Sequence, residues 1–171
     1  MSARDNALLR DVIFPNHPDF GRSRVVREMA KKDPRTFNVP YLVELTMAAI
    51  GGYEFVDAAH YDFTDGTDSK ITSVSSNPIK SSPNSYAGTV TNVCSQYGKF
   101  KTGGLRIIAY VTPRDECWFY YLPLTVWKPM AVVPKIGNGY IGYQYNTIKD
   151  DIVRFSDYRL GTFRELAMAK G

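Results

Sequence analysis

Three side chains between residues 62 and 70 have types and spacing suited to chemistry on a phosphate ester. The carboxylates of Asp62 and Asp68 offer hard oxygen ligands for Mg²⁺, with Mn²⁺ as a substitute, because such ions bind one or two protein carboxylates together with waters and phosphate oxygens. The ammonium group of Lys70 can polarise or deprotonate an attacking water and stabilise charge at phosphorus. Asp62, Asp68 and Lys70 are therefore candidate catalytic residues, with the two aspartates as metal ligands.

The segments around these residues predict a β-hairpin. Residues 53–64 have the pattern of a strand, and Asp65-Gly66 is typical of a tight turn. Residues 67–75 are rich in β-branched side chains and predict a returning strand. We therefore expect the acidic residues to lie near the tip of a hairpin.

The register of this hairpin decides which side chains meet. Successive side chains of a strand alternate between its faces, so Asp68 and Lys70 are expected on the same face. With a three-residue turn at 65–67, Asp62 lies opposite Lys70 and joins that face. With a two-residue turn, Asp62 lies opposite Ser69 and points away.

Further polar residues near the motif have more than one interpretation. His60, with Asp57 and Asp62, forms the pattern Asp-x-x-His-x-Asp, which suits metal ligands or a general base. His60 also fits a packed strand position, so it is a secondary catalytic candidate. Asp65 precedes Gly66, and this pairing favours a turn residue over a catalytic one.

Charge is unevenly distributed and favours a polyanionic partner. The chain has a net charge of +4, and its 46 residues from Ser69 to Arg114 contain neither Asp nor Glu. A basic region beside an acidic cluster is expected where a polyanion lies against bound metal. A helix over residues 21–32 and the segment 99–106 are therefore predicted to contact a DNA backbone, although 21–32 also fits a solvated surface helix. The residues concerned are Arg22, Arg24, Arg27, Lys99, Lys101 and Arg106.

The 171 residues suit one α/β domain with a mixed central sheet flanked by helices. Residues 1–20 resemble an irregular arm with a short helix near 7–12. Asn38-Val39-Pro40 predicts the start of a helix that ends at Gly51-Gly52. The remaining predicted elements are strands at 105–112, 117–124 and 139–143, a loop at 77–86, a final helix at 158–170, and a segment at 87–96 that fits strand or helix.

The sequence also bears on where the protein works. No apolar run is long enough to cross a bilayer, and the first residues lack the order of a signal peptide. Cys94 and Cys117 have no short metal-ligand spacing, and we expect both to be reduced. These features favour a cytoplasmic protein that has no membrane partner.

The pattern Tyr61-Asp62-Phe63 followed by Asp68-Ser69-Lys70-Ile71 resembles the PD-(D/E)XK nucleases, in which an aspartate precedes an acid-x-lysine strand. The run 105–111 and the aromatic run 119–123 are similar to the strand pair that follows the catalytic hairpin in such enzymes. Glu44 stands where these domains tend to carry an acid on the preceding helix. The family's proline is missing, since His60 stands two places before Asp62. The interval from Asp62 to Asp68 is also short for the family, so Asp57, Asp62 and Asp65 remain alternatives for the upstream ligand, with Asp62 as the first choice.

This resemblance implies a restriction-endonuclease-like core and a magnesium-dependent endonuclease acting on double-stranded DNA. A site-specific restriction-like or homing enzyme fits best, and a Holliday junction resolvase or repair nuclease would use the same centre. Cutting both strands calls for two sites, so a homodimer or higher symmetric oligomer is expected. A different class also remains, a non-catalytic nucleic-acid-binding or virion-associated protein in which the acids are structural.

Overall fold

The computed structural model describes residues 2–16, 38–56, 61–74, 88–93, 103–146 and 148–170, and they form a mixed α/β structure. Helix α1 (Ala3–Leu8) continues through a π-helical turn (Leu9–Ile13) into α2 (Phe14–Asn16). Ser2 begins this helix by accepting a hydrogen bond from the Asp5 amide at 3.1 Å. The prediction of an irregular arm with only a short helix is therefore wrong for residues 2–16.

Helix α3 (Val39–Gly51) has the boundaries that its sequence predicts. The Asn38 side chain accepts a hydrogen bond from the Tyr41 amide at 3.3 Å, and Pro40 stands in the first turn, where an N–H is not needed. Gly52 ends the helix with φ of 74°, a conformation that a glycine adopts without strain. This prediction is confirmed.

The central sheet joins four strands in the described part of the chain, in the order β1-β3-β4-β8. Their bounds are β1 (Asp68–Val74), β3 (Leu105–Val111), β4 (Glu116–Leu122) and β8 (Arg159–Leu160). β1 runs parallel to β3, while β3 with β4 and β4 with β8 are antiparallel. The sheet is therefore mixed, and its predicted strands at 105–112 and 117–124 are confirmed.

The predicted hairpin is wrong, although its returning strand at 67–75 is confirmed as β1 (Asp68–Val74). Residues 53–56 and 61–64 form no regular strand and are joined by the isolated antiparallel bridge between Phe55 and Phe63. The amides of Val56 and Thr64 donate to the carbonyl oxygens of Asp62 and Glu54 at 2.7 and 2.9 Å. β1 instead pairs with β3, far along the chain, with Asp68 beside Leu105. The residues before β1 close into a compact turn, which the next subsection describes.

The two faces of the sheet are covered by different layers. One face, here the helical face, carries Ile108 and Tyr110 of β3 and packs against α1, α3 and α5 (Phe163–Met168). The opposite face, here the ribbon face, carries Leu105, Ile107 and Ala109 and packs against smaller β-ribbons. The ribbons are β2 (Gly88–Thr91) with β5 (Tyr140–Tyr143), and β6 (Tyr145–Asn146) with β7 (Asp151–Ile152).

The remaining elements are short. Helix α4 (Leu124–Trp127) follows β4, and single 3₁₀ turns occupy Thr112–Arg114, Lys128–Met130 and Ser156–Tyr158. The final helix is shorter than predicted, because residues 158–160 belong to a 3₁₀ turn and to β8. The sequence of residues 87–96 fitted either a strand or a helix. Four of these residues, Gly88–Thr91, form strand β2. No helix within the described ranges is long and apolar enough to cross a membrane.

Several predictions fall outside the described residues. They concern the basic helix at 21–32, the loop at 77–86, and the side chains of Arg22, Arg24, Arg27, Asp57, His60, Cys94, Lys99 and Lys101. Cys117, which is described, is a free and buried thiol.

Candidate active site

The site lies where β1 begins, and the backbone direction there explains its form. The Asp68 amide donates to the carbonyl oxygen of Gly104, just before β3, at 3.1 Å. Because successive N–H groups of a strand point to opposite sides, the amide of Ser69 points away from β3. Asp62 Oδ2 and Asp68 Oδ1 accept hydrogen bonds from that amide at 3.0 and 3.1 Å. One backbone donor thus brings the two carboxylates together.

Lys70 completes the cluster. Its Nζ lies 3.1 Å from Asp68 Oδ2, and the side chains of Lys70 and Asp68 are 21% and 8% exposed. Thr72, two residues further, hydrogen-bonds the Tyr143 hydroxyl at 2.6 Å on the ribbon face. The prediction that Asp68 and Lys70 share a strand face is confirmed, and by the two-residue period of β1 it is the ribbon face.

Asp62 lies in the same cluster as Asp68 and Lys70, as predicted, but a hairpin register does not bring it there. Asp62 precedes β1 and belongs to the 62–67 loop, in which the amides of Asp62 and Phe63 both donate to Thr67 O, at 3.1 and 3.2 Å. This loop folds back so that Asp62 reaches Ser69 from outside the sheet. A local turn, and not pairing between two strands, therefore brings Asp62 close to Asp68.

Burial and a neighbouring carboxylate strongly affect the ionisation of Asp62. Burial disfavours its charged form, and the hydrogen bond and charge repulsion from Asp68 act in the same direction. The Ser69 amide and the Lys70 ammonium oppose these effects only in part, so the pKa of Asp62 rises to about 8.

Asp65 acts in the turn. Its Oδ1 accepts hydrogen bonds from the amide and hydroxyl of Thr67 at 3.1 and 2.5 Å, and Gly66 supplies the positive φ of 83°. Burial works against the ionised carboxylate, but the hydrogen bonds from Thr67 and Arg106 outweigh it and lower the pKa of Asp65. These contacts agree with the turn interpretation of Asp65.

Arg106 differs from its expectation. It was predicted to contact a DNA backbone, yet its side chain is completely buried on the helical face, with Nη2 at 2.8 Å from Asp65 Oδ2. A guanidinium in this position cannot reach a surface phosphate. The signal that sequence reasoning missed is its place as the single charge inside the apolar strand LRIIAYV, since a buried charge requires a partner.

Glu44 belongs to helix α3 and is half-buried. Helix α3 packs against the helical face, whereas Asp68 and Lys70 project from the ribbon face. A role of Glu44 in the site stays a prediction. His60, the other secondary candidate, belongs to the residues that are not described.

Comparisons with protein-family models, with curated proteins and with solved structures found no match. The family resemblance therefore rests on the motif, and the case for function rests on the geometry of the cluster.

The donor set fits a hard cation that keeps most of its water. Within the described ranges, no group of three or more His, Cys, Asp or Glu side chains is placed to hold a metal ion. Asp62 and Asp68 supply two carboxylates, and Mg²⁺ commonly takes one or two such ligands while waters and substrate oxygens fill its other positions. Carboxylate oxygens without sulfur or described imidazole ligands favour Mg²⁺ or Mn²⁺ over zinc or copper.

Proposed function

We propose that this protein is a magnesium-dependent DNA endonuclease of the PD-(D/E)XK type, with Asp62 and Asp68 as metal ligands and Lys70 as its catalytic cation. The single observation that carries the proposal is the convergence of both carboxylates on the Ser69 amide, at 3.0 and 3.1 Å, with the Lys70 ammonium 3.1 Å from Asp68. Two carboxylates and a lysine gathered at the start of β1, with Asp62 reaching it from the preceding loop, suit phosphodiester hydrolysis.

The finer fold assignment is part of the same proposal. In a restriction-endonuclease-like core, the acid-x-lysine strand lies in a mixed sheet covered by helices. Support comes from β1, which pairs parallel with β3, from β4, which pairs antiparallel with β3, and from the helical layer on one face. We propose that these three strands and α3 form that core.

The chemistry balances as a hydrolysis. Water forms a bond to phosphorus in line with the leaving 3′-oxygen, the P–O3′ bond breaks, and the products carry a 5′-phosphate and a 3′-hydroxyl. Bound Mg²⁺ would supply a Lewis acid that draws charge from the phosphate oxygens. Lys70, already turned toward Asp68, stands where it can orient the water and stabilise the added negative charge.

The roles of the aspartates follow from their environments. Asp68, largely buried and ion-paired with Lys70, is fixed in direction before any ligand arrives. Asp62, whose pKa is raised to about 8, would give up its proton to bind a cation, because a bound cation would relieve the repulsion between the two carboxylates. Asp68 as a pre-placed ligand and Asp62 as one that ionises on binding would make the site respond to both metal and pH.

The decisive experiment is plasmid cleavage by the purified protein with and without Mg²⁺, for the wild type and for Asp68→Ala and Lys70→Ala. The controls are Asp157→Ala and Lys149→Ala, which remove an exposed carboxylate and an exposed ammonium elsewhere. We expect metal-dependent cleavage by the wild type and both controls and its loss in both site variants, with DNA binding retained in a gel-shift assay. Because a site-specific enzyme cuts only DNA that contains its target, the plasmids are a library with random inserts. DNA binding by the wild type without metal-dependent cleavage of any plasmid in that library would refute the nuclease and favour the non-catalytic alternative.

The same assay refines the class of nuclease. A restriction-like or homing enzyme produces discrete linear fragments, whereas a resolvase cuts a synthetic four-way junction in preference to the matching duplex. We propose the first of these, as a homodimer that cuts both strands with two copies of the site. Light scattering on the protein with and without duplex DNA measures the number of copies, and a monomer on cleaved duplex would overturn the dimer.

A further inference from the structure

Arg106 is a buried cation at the centre of the sheet. Its side chain has no exposed surface, and its guanidinium carbon lies 4.4 Å from the ring centroid of Tyr53 and 5.4 Å from that of Phe63. Removing such a charge from water is costly unless it is paired and hydrogen-bonded. The hydrogen-bond partners of the Arg106 guanidinium therefore show which segments of the chain it stabilises.

The guanidinium joins two distant parts of the chain. Nη2 donates to Asp65 Oδ2 in the 62–67 loop at 2.8 Å. Nε donates to the Leu166 carbonyl at 3.1 Å, and Nη2 also donates to the Ala169 carbonyl, so the end of α5 is held from the same group. A cation is favoured at a helix C-terminus, where carbonyl groups lack partners within the helix.

The restraint on Asp65 extends to Asp62 through short local bonds. Asp65 Oδ1 accepts from the amide and hydroxyl of Thr67, and the Thr67 carbonyl accepts from the Asp62 amide at 3.1 Å. Arg106 also lies beside Ser69 in the register of β1 and β3, next to the residue whose amide binds both carboxylates. The site and the buried guanidinium are thus linked by the loop on one side and by the strands on the other.

We propose that Arg106 is a positioning residue, which holds the 62–67 loop through Asp65 and so keeps the Asp62 carboxylate beside Asp68. Asp65 is then an anchor of the loop and not the upstream metal ligand. The positioning itself is a property of the fold, and only its consequence for metal binding rests on the proposed function.

The first test is amide hydrogen exchange, which needs neither metal nor substrate. In Arg106→Lys and in Asp65→Asn, the amide of Ser69 should exchange about two- to tenfold faster than in the wild type, as expected for loss of one of its two acceptors while Asp68 Oδ1 remains. The amide of Ile107, inside the sheet, reports general loosening. Equal acceleration at Ser69 and Ile107, or none at Ser69, would overturn the proposal.

Asp151→Asn is the matched control. Its carboxylate is paired with Arg159 at 3.6 Å, and the side chains of Asp151 and Asp65 are 19% and 18% exposed. This control should leave the exchange of Ser69 unchanged. Asp65→Asn keeps the test valid if Arg106→Lys does not fold. The side chain of Asp65 is partly exposed, and the side-chain oxygen of the new asparagine can still accept hydrogen bonds from Thr67.

The second test is Mn²⁺ binding, followed by electron paramagnetic resonance. Loss of a residue that orients a metal ligand typically weakens metal binding by about 10- to 100-fold, and we expect this in both Arg106→Lys and Asp65→Asn. Weakening in Asp65→Asn with wild-type affinity in Arg106→Lys would make Asp65 a ligand and overturn its role as anchor. If the wild type binds no Mn²⁺, the proposed function fails, while the exchange of Ser69 still decides the positioning role.

Discussion

Asp62 and Asp68 accept hydrogen bonds from the same backbone donor, the amide of Ser69, at 3.0 and 3.1 Å. Two carboxylates held this close repel each other when both are ionised, and the Lys70 ammonium contacts only one of them, Asp68. The pair therefore retains a proton, and the pKa of Asp62 rises to about 8. Metal binding and pH should consequently be coupled in this protein.

Binding of Mg²⁺ or Mn²⁺ should release about one proton at pH 7, because both carboxylates must ionise to act as ligands. The affinity should rise by up to about tenfold per pH unit below pH 8 and level off above it. Calorimetry in buffers with different ionisation enthalpies measures the proton release. In Asp62→Asn the release should vanish and the affinity should fall. An affinity that is constant between pH 6 and 8 would contradict the shared proton.

The same proton affects the stability of the metal-free protein. The folded-state pKa of Asp62, about 8, lies above its ordinary value of 3.8, so the folded state binds more protons than the unfolded state between these values. The contribution of Asp62 to stability is thus complete below about pH 4 and is lost as the pH rises through 8. The free energy of unfolding should fall across this range by at most about 1.4 kcal/mol per pH unit.

Urea unfolding at several pH values between 5 and 8 measures this effect. Asp62→Asn should remove the downward slope, whereas Asp157→Asn, at an exposed carboxylate, should keep it. Saturating Mg²⁺ should reduce the slope in the wild type, because the bound cation stabilises the ionised pair. Parallel curves for the wild type and Asp62→Asn would show that Asp62 does not hold the proton.

Lys70→Met should separate metal binding from catalysis. Methionine replaces the ammonium with an apolar group of similar length, so the proposed catalytic cation is lost while Asp62 and Asp68 keep their shared donor, the Ser69 amide. We expect single-turnover cleavage to slow by about 10²- to 10⁴-fold, the usual contribution of a proton-transferring side chain. Mn²⁺ binding should be retained or strengthened, because a competing positive charge has gone. Lys149→Met, at an exposed lysine, is the control, and unchanged cleavage in Lys70→Met would remove Lys70 from the mechanism.

Local sequence rules predicted much of the fold because several elements depend on few neighbours. Asn38, Pro40 and Gly52 set the ends of α3 through capping and backbone preferences that act within one turn. The run LRIIAYV is apolar throughout and became β3, a strand buried on both faces. Such signals do not depend on how the strands are paired.

Strand pairing could not be predicted in the same way. Asp65-Gly66 favoured a hairpin, but the Asp65 carboxylate binds Thr67 and Arg106, so the turn closes on itself and β1 pairs with β3 instead. A parallel partner more than thirty residues away leaves no local trace in the sequence. Neither the two-residue nor the three-residue hairpin turn occurs, because β1 pairs with β3.

The candidate site shows the same division. Asp68 and Lys70 share a face because side chains alternate along any strand, whatever its partner, so their proximity was predictable. Asp62 reaches them through the 62–67 loop, whose shape depends on Arg106, a residue about forty positions later in the chain. Residue type indicated that Asp62 belongs to the site, while its route there required tertiary contacts.

Gly104 offers a stability test of the backbone that supports the site. Its carbonyl accepts from the Asp68 amide at 3.1 Å, and a Cβ at this position would lie 2.0 Å from the Tyr121 hydroxyl oxygen and 2.4 Å from the adjacent ring carbon. Gly104→Ala must therefore displace the Tyr121 ring or the entry to β3. We expect a loss of about 1 to 3 kcal/mol in the free energy of unfolding, measured with urea.

Gly161→Ala is the matched control, since its nearest neighbour would be Glu165 Oε1 at 3.6 Å, an ordinary contact. Its stability should change little or increase slightly, because alanine restricts the unfolded chain. Tyr121→Leu should restore part of the stability of Gly104→Ala by vacating the space that the new methyl group needs. A double-mutant cycle between positions 104 and 121 measures this coupling, and a coupling energy near zero would mean that the Tyr121 ring does not set the space available at Gly104.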